Sequence, residues 1–495
     1  MVSGGGTPGS IPDTILNWID GAGRAAVGGA TFEKLDPATG RVLCRVARSR
    51  APDVGAAVEA AQRAYRSWRT LTPVARGDHV RALALAIRDR SDDLALIVHR
   101  ETGKSLKDAR GEVDAAVEMG LFVAGEGRRW YGRTTTSAVP NKTALVVRQP
   151  RGVAGLIVAA NTPIANVAWK VFPAILCGNT AVLKAAEDTP ATAWAVAALA
   201  TEIGLPAGVF NAVQGFGEEA GAPLVEHHDV AIVSFTGSCD VGRIIGRVAG
   251  GRLAKVCLEL GGKNPLVVCD DANLPQAVDA AVRSAFSNAG QRCASGSRLI
   301  VFASVYETFR QLLVERIRTL RVGTGDEDDF GPVINGQQLD AMLAALDRAR
   351  TAGVCVLAGG HRLHGRGYDG GFFLAPTLLE GVAGDAEVSR TELFGPIAAL
   401  YRVEGFEEAL ALANDSPFGL TAAIWTGDVH RAMEFVNRIE SGVAVVNGAT
   451  YGSEPHMPFG GLKQSGNGLR EAGTEALDVY SDCKTIYVNH EPAAT

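Results

Sequence analysis

Glu259-Leu260-Gly261-Gly262-Lys263-Asn264 and Gly290-Gln291-Arg292-Cys293 bound a stretch with a carboxylate at its start and a thiol 34 residues later. As a thiolate, cysteine attacks carbonyl carbon and forms a covalent acyl intermediate. A partly desolvated glutamate has its pKa raised towards the range in which it takes a proton from water. The two can divide an acyl transfer, with Cys293 forming a thioester and Glu259 activating the water that hydrolyses it. Each end also has a plainer reading: Glu259 as a turn cap, Cys293 as a small buried hydrophobe. The flanks decide between them.

Further blocks lie outward from this stretch. Upstream are Ala160-Asn161-Thr162-Pro163, then Gly178-Asn179-Thr180-Ala181-Val182-Leu183-Lys184, then Phe235-Thr236-Gly237-Ser238. Downstream are Glu392-Leu393-Phe394-Gly395-Pro396 and Pro458-Phe459-Gly460-Gly461-Leu462-Lys463-Gln464-Ser465-Gly466. In this order the blocks resemble the aldehyde dehydrogenase superfamily, in its NAD(P)-dependent hydrolytic branch, from about Thr31 to Val488. The resemblance implies an α/β fold in three parts. A Rossmann-like parallel-sheet cofactor domain takes 31–133 and 151–260, a second α/β catalytic domain takes 261–460, and a small β oligomerisation flap takes 134–150 and 476–489.

A chain of 495 residues suits two or three domains rather than one core. With 47% hydrophobic and 21% charged residues and a net charge of -6, it is ordinary for a globular protein and offers no basic face for nucleic acid or anionic lipid. The eight cysteines stand singly, and there is neither C-x-x-C nor H-E-x-x-H, so no metal site is expected. Unpaired thiols point to a reducing compartment, the cytoplasm. The longest apolar region, near Gly155 to Leu183, is interrupted by Asn161, Asn166, Lys170 and Asn179 and cannot span a bilayer.

Residues 1–30, with Gly4-Gly5-Gly6 and Gly28-Gly29, read as a loosely ordered start. Helical periodicity then covers Asp53 to Trp68, Pro73 to Glu101 and Leu106 to Gly127. From Gly152 onward, short apolar runs (Val153–Val158, Ala181–Lys184, Val209–Val213, Ala231–Phe235, Lys255–Leu260) alternate with helical patterns, as in a parallel sheet covered on both faces. A second such set begins at Pro265. Sheets of this kind take ligands outside the carboxyl ends of their strands, where the motif loops fall.

The resemblance assigns roles residue by residue. Cys293 is the nucleophile, Glu259 the general base, and Asn161 the side-chain donor of the oxyanion hole. Lys184 and Glu187 hold the adenosine ribose, which favours NAD while leaving NADP as an alternative. Gly237, Ser238 and Gly242 form the turn that receives the pyrophosphate. Glu392 holds the nicotinamide ribose, with Phe394 beside the ring. Thr162, Trp169, Tyr451, His456 and Phe459 are candidates for the substrate tunnel. The resemblance also implies a homodimer or homotetramer acting on a small-molecule aldehyde. The chain departs from the common pattern at Ala159-Ala160, where Pro-Trp is usual. Where succinic-semialdehyde relatives carry arginines it has Trp169 and Ser287, which suits an apolar or aromatic aldehyde. Two other classes stand against this reading: a cofactor-free thiol hydrolase, for which no histidine context offers a partner to Cys293, and a non-catalytic protein that kept the fold.

Overall fold

The computed structural model describes residues 9–490. Its first seven-stranded sheet places Lys255–Glu259, Val230–Thr236, Val153–Ile157, Thr180–Lys184 and Phe210–Val213 side by side and parallel. Alternate residues of these strands serve two cores. Ala154, Leu156, Ala181, Leu183 and Ile232 face the helices Pro73–Asp89, Leu106–Glu126 and Pro163–Leu176. Val153, Ile157, Val182, Val233 and Phe235 face Ala51–Trp68 and Cys239–Gly251. Burial on both faces explains why these strands read as unbroken apolar runs.

The N-terminal expectation is corrected. Thr14–Ile15 pairs with Val42–Ala47, and the hairpin Asn17–Ile19 with Ala22–Arg24 closes the far edge of the first sheet. Ile15, Trp18 and Ile19 are buried, and buried Asn17 accepts through Oδ1 from Ser49 Oγ (2.8 Å) and Gln214 N (2.8 Å). Ile15, Trp18 and Ile19 are few but all buried, so a composition-based reading undercounts their effect. Residues 1–8 lie outside the described residues.

The second sheet runs Cys355–Ala358, Thr377–Glu380, Ile397–Val403, Gly296–Phe302, Asn264–Val268, Thr421–Trp425, Val443–Val446, parallel except for the first pair. The chain crosses between the two sheets at Leu260-Gly261-Gly262-Lys263, inside the diagnostic stretch. It returns to the first sheet near Gly466, which bridges Glu259.

A third, antiparallel sheet joins distant parts of the chain. Ser481–Asn489 pairs along its whole length with Lys142–Pro150, which also pairs with Arg133–Thr136. Tyr487 and Val488 are exposed on it. Residues Ala476–Tyr480, assigned to this element from sequence, instead form a buried helical turn, because Leu477, Val479 and Tyr480 pack into the first core. Among the described residues no helix is long and apolar enough to cross a membrane.

Candidate active site

Glu259 ends the edge strand of the first sheet, and Asn264 opens a strand of the second. The link between them is closely packed. A Cβ on Gly261 would overlap the Glu392 carboxylate, and one on Gly262 would overlap the Cys293 carbonyl oxygen. Two glycines therefore let the loops carrying Glu392 and Cys293 close on the same four residues. Asn264 locks the arrangement: Nδ2 donates to the carbonyls of Cys293 (2.7 Å) and Ser295 (2.8 Å), and Oδ1 accepts from Thr421 N (3.0 Å). The two ends of the diagnostic stretch thus meet through hydrogen bonds.

The backbone leading to Cys293 is strained. Asn288 (φ 54°), Ala289 (φ 53°) and Gly290 (φ 67°) are consecutive left-handed residues. Such a conformation costs roughly 1–2 kcal/mol for each residue bearing a Cβ, so surrounding bonds must hold it. Asn288 Nδ2 donates to the carbonyls of Asn161 and Gln291 (both 3.2 Å). Gln291 accepts through Oε1 from Ile334 N (2.8 Å) and donates through Nε2 to Pro332 O (3.3 Å). A Cβ on Gly290 would overlap the Gly395 carbonyl, so the Glu392–Pro396 loop also braces this turn.

Asn161 stands beside the nucleophile loop. Its Nδ2 donates one hydrogen to Gln291 O (3.0 Å), which leaves the second amide hydrogen for another acceptor. Asn166 Nδ2 lies 3.3 Å from Asn161 Oδ1 and donates to it, which orients the amide. Behind it, the buried pair Lys104–Glu112 (2.6 Å) anchors the loop: Lys104 Nζ donates to Asn161 O (2.9 Å), and Glu112 Oε1 accepts from Ile164 N (3.0 Å) at the start of Pro163–Leu176. The local sequence gave no sign of Asn166, Lys104 or Glu112, because their effect depends on a helix start about fifty residues from the pair.

Electrostatics ties the groups into one centre. Burial pushes the partly exposed Cys293 thiol up to about 12, and the Glu392 and Glu259 carboxylates add to the shift. The Ala294 N–H and the Arg292 charge oppose it. Glu259 is buried, and neither carboxylate oxygen has a protein donor. Burial holds its pKa well above the carboxylate range, and the nearby Glu471 charge reinforces this against Lys170 and Arg470. Glu471 is itself held by the Lys170 ammonium and by Ser234 Oγ (2.6 Å). Burial also pushes Glu392 up to about 7, opposed by the Gly262 N–H (3.0 Å) and Lys263. A neutral thiol, a carboxyl poised to lose its proton and an oriented amide are the components of acyl transfer.

The strand ends of the first sheet adjoin Glu259. Ile157 pairs with Lys184 and with Phe235, and Thr236 pairs with Glu259, so four strands end on one side. Lys184 is buried at its strand end and pairs with half-exposed Glu187 (2.6 Å). Gly237 and Ser238 precede Cys239–Gly251, and Ser238 caps it by accepting from Val241 N (3.4 Å). Gly242 lies one turn inside that helix, where a Cβ would come within 2.6 Å of Leu260 Cδ2. Its lack of a side chain therefore serves helix packing on Leu260. A buried ammonium and free helix-start N–H groups on one side of the sheet suit a diphosphate with its ribose. Phe394 adopts a left-handed conformation (φ 54°) in the loop that carries Glu392.

The tunnel candidates divide. Trp169 and Phe459 meet edge to face at 5.6 Å, and Tyr451 lies under the Arg292 guanidinium at 4.8 Å. Thr162 Oγ1 accepts from Asn166 Nδ2 (3.2 Å). His456 is exposed and lies near Glu454 (3.7 Å) on the surface, which does not suit a wall residue. Arg292, part of the quoted stretch, received no role from sequence.

The aldehyde dehydrogenase family matches this chain over residues 24–486. The chain belongs to the aldehyde dehydrogenase family. A relative from Bacillus subtilis (strain 168), alpha-ketoglutaric semialdehyde dehydrogenase, is 38% identical over 479 residues, covering 96% of this chain and 98% of that protein. The crystal structure of betaine aldehyde dehydrogenase from Staphylococcus aureus in complex with NAD+ superposes with a TM-score of 0.94 at 32% identity, covering 97% of this chain and 95% of that one. A point mutant of that aldehyde dehydrogenase, with NAD+ and a BME-modified cysteine, gives the same score. The expected family, α/β fold and enzyme class, an aldehyde dehydrogenase, hold.

Proposed function

We propose that this aldehyde dehydrogenase oxidises its aldehyde to the free carboxylic acid through a thioester on Cys293. Cys293 loses its proton and its sulfur bonds to the aldehyde carbon. The Cys293 backbone N–H and the second amide hydrogen of Asn161 receive the oxyanion. NAD, when bound, supplies the acceptor for the hydride that leaves this carbon, as suits the strand ends beside Lys184 and the helix start at Ser238. Glu259 then takes a proton from water, whose oxygen bonds to the thioester carbon as the carbon–sulfur bond breaks. The observation that carries this reading is that the Glu259–Asn264 link holds the Cys293 carbonyl through Asn264 Nδ2 (2.7 Å). Glu187 beside Lys184 supports NAD over NADP, because its carboxylate repels a 2′-phosphate.

Adding aliphatic, aromatic and carboxylate-bearing aldehydes with NAD should raise the NADH absorbance for at least one class, with weaker turnover on NADP. No reduced cofactor with any aldehyde would overturn the reading. Asn161→Ala should lower kcat by ~100-fold or more with a smaller change in KM, the usual effect of removing one oxyanion donor. An unchanged kcat would remove Asn161 from the mechanism.

The exposed outer strand Arg133–Thr136 and the exposed Tyr487 and Val488 support a role for the third sheet in a homodimer or homotetramer. The eight cysteines are all free, which suits the cytoplasm. The two named relatives differ in the charge their aldehydes carry: a semialdehyde of a dicarboxylic acid in one, a quaternary ammonium aldehyde in the other.

A further inference from the structure

His227-His228-Asp229 precede the strand Val230–Thr236, at the opposite end from the Gly237–Ser238 turn. An extended strand of that length separates its two ends by roughly 20 Å, so the cluster stands apart from the catalytic centre. The chain leaves the helix Ala222–Glu226 at His227 in an extended conformation (φ -63°, ψ 123°) and turns at once, with Val230 N donating to His227 O (3.1 Å). A hydrogen-bonded turn gathers side chains that an extended strand sends to alternate faces. The two imidazole rings stack with centroids 5.0 Å apart, and His228 Nε2 lies 3.3 Å from Asp229 Oδ2. His227 Nδ1 accepts from Asp229 N (3.2 Å), so its lone pair faces into the turn. One nitrogen of each histidine and one oxygen of Asp229 all lie within 4.8 Å of one another. Among the described residues this is the one group of three such potential ligands gathered so closely.

The main chain of this turn is braced on both sides. Arg252 donates through Nε to Val225 O (2.9 Å) and through Nη1 to Val230 O, and Gln62 Nε2 donates to Asp229 O (3.2 Å). The exposed His228 ring is free to swing towards a ligand on this fixed frame. Two imidazoles with one carboxylate are a nitrogen-rich set, which suits nickel(II), zinc(II) or copper(II) and not the oxygen-seeking calcium or magnesium. We propose that His227, His228 and Asp229 bind one divalent transition-metal ion, with water completing its coordination. The ion ties the end of Ala222–Glu226 to the start of Val230–Thr236 and stabilises the first sheet without entering the chemistry at Cys293. Adjacent histidines fall outside the C-x-x-C and H-E-x-x-H patterns, which is why the sequence motifs pass over them.

The test is a calorimetric titration of the full-length protein, stripped with EDTA, with nickel chloride at neutral pH. It should show one nickel ion per chain in a site that excess magnesium does not fill. The melting temperature should rise with nickel and return on adding EDTA, because the ion binds only the folded turn. His228→Ala should weaken this binding by ~10- to 100-fold, the loss typical of disturbing the surroundings of a metal. The double variant His227→Ala, His228→Ala should abolish it. Both variants should form NADH at the native rate without metal, which reports an intact fold. Cys293→Ala should keep the site in full, which separates it from capture of the ion by the nucleophile. A native protein that binds no nickel would overturn the proposal. So would binding that survives in the double variant, or that disappears with Cys293→Ala.

Discussion

Cys293→Ala protein should form no NADH with any aldehyde, a loss of ~10⁶-fold or to the limit of detection, the scale seen when a covalent nucleophile is removed. The native thiol is a neutral acid pushed up to about 12 by burial and two carboxylates, so only its deprotonated form carries the reaction. Its carbonyl, held by Asn264, and the neighbouring Gln291 fix the loop without help from sulfur. The variant should therefore fold and bind NAD normally, measured by titration alongside the absorbance assay. Residual turnover above about one part in a thousand would mean that another group performs the attack.

Glu259→Gln separates the two halves of the cycle. Oxidation to the thioester should survive, giving a burst of about one NADH per protomer. Steady turnover should then drop by ~100- to 10,000-fold, the usual contribution of a general base. Native thioester hydrolysis should accelerate as pH rises through the raised pKa of Glu259, and the variant should lose that limb. Stability gives an independent check. The folded state holds the Glu259 proton above about pH 4.3, where the unfolded chain releases it, so the native protein loses stability as pH rises through that window. Removing the titrating group should leave the variant's melting temperature at or above the native one, by a margin that grows with pH. A margin that shrinks with pH would contradict the buried, raised carboxyl.

The parallel strands of the first sheet and the start of the second were legible because they are buried on two faces and read as apolar runs between helical patterns. Val153–Ile157 and Lys255–Glu259 fell within a residue or so of where the periodicity placed them. The hairpin at Asn17–Arg24 was not legible, since two buried apolar side chains, Trp18 and Ile19, beside two glycines carry no periodic signal. The acyl-transfer pair could be read from Glu259 and Cys293, but what brings them together could not. Asn264 bonding to the Cys293 loop and to Thr421, three left-handed residues before Gln291, and Lys104–Glu112 behind Asn161 are all tertiary effects. Gly242 shows a further tertiary effect: a glycine that completes a loop pattern also admits Leu260 against the helix. His456 was singled out by residue type, and burial then placed it on the surface.

The most direct measurement of convergence between Cys293 and Glu259 is the mass of the Glu259→Gln protein quenched seconds after mixing with NAD and aldehyde. The peptide containing Cys293 should gain one acyl group, released by hydroxylamine and absent without NAD. An unmodified Cys293 peptide after the NADH burst, or the acyl group on another cysteine, would contradict a shared reaction centre.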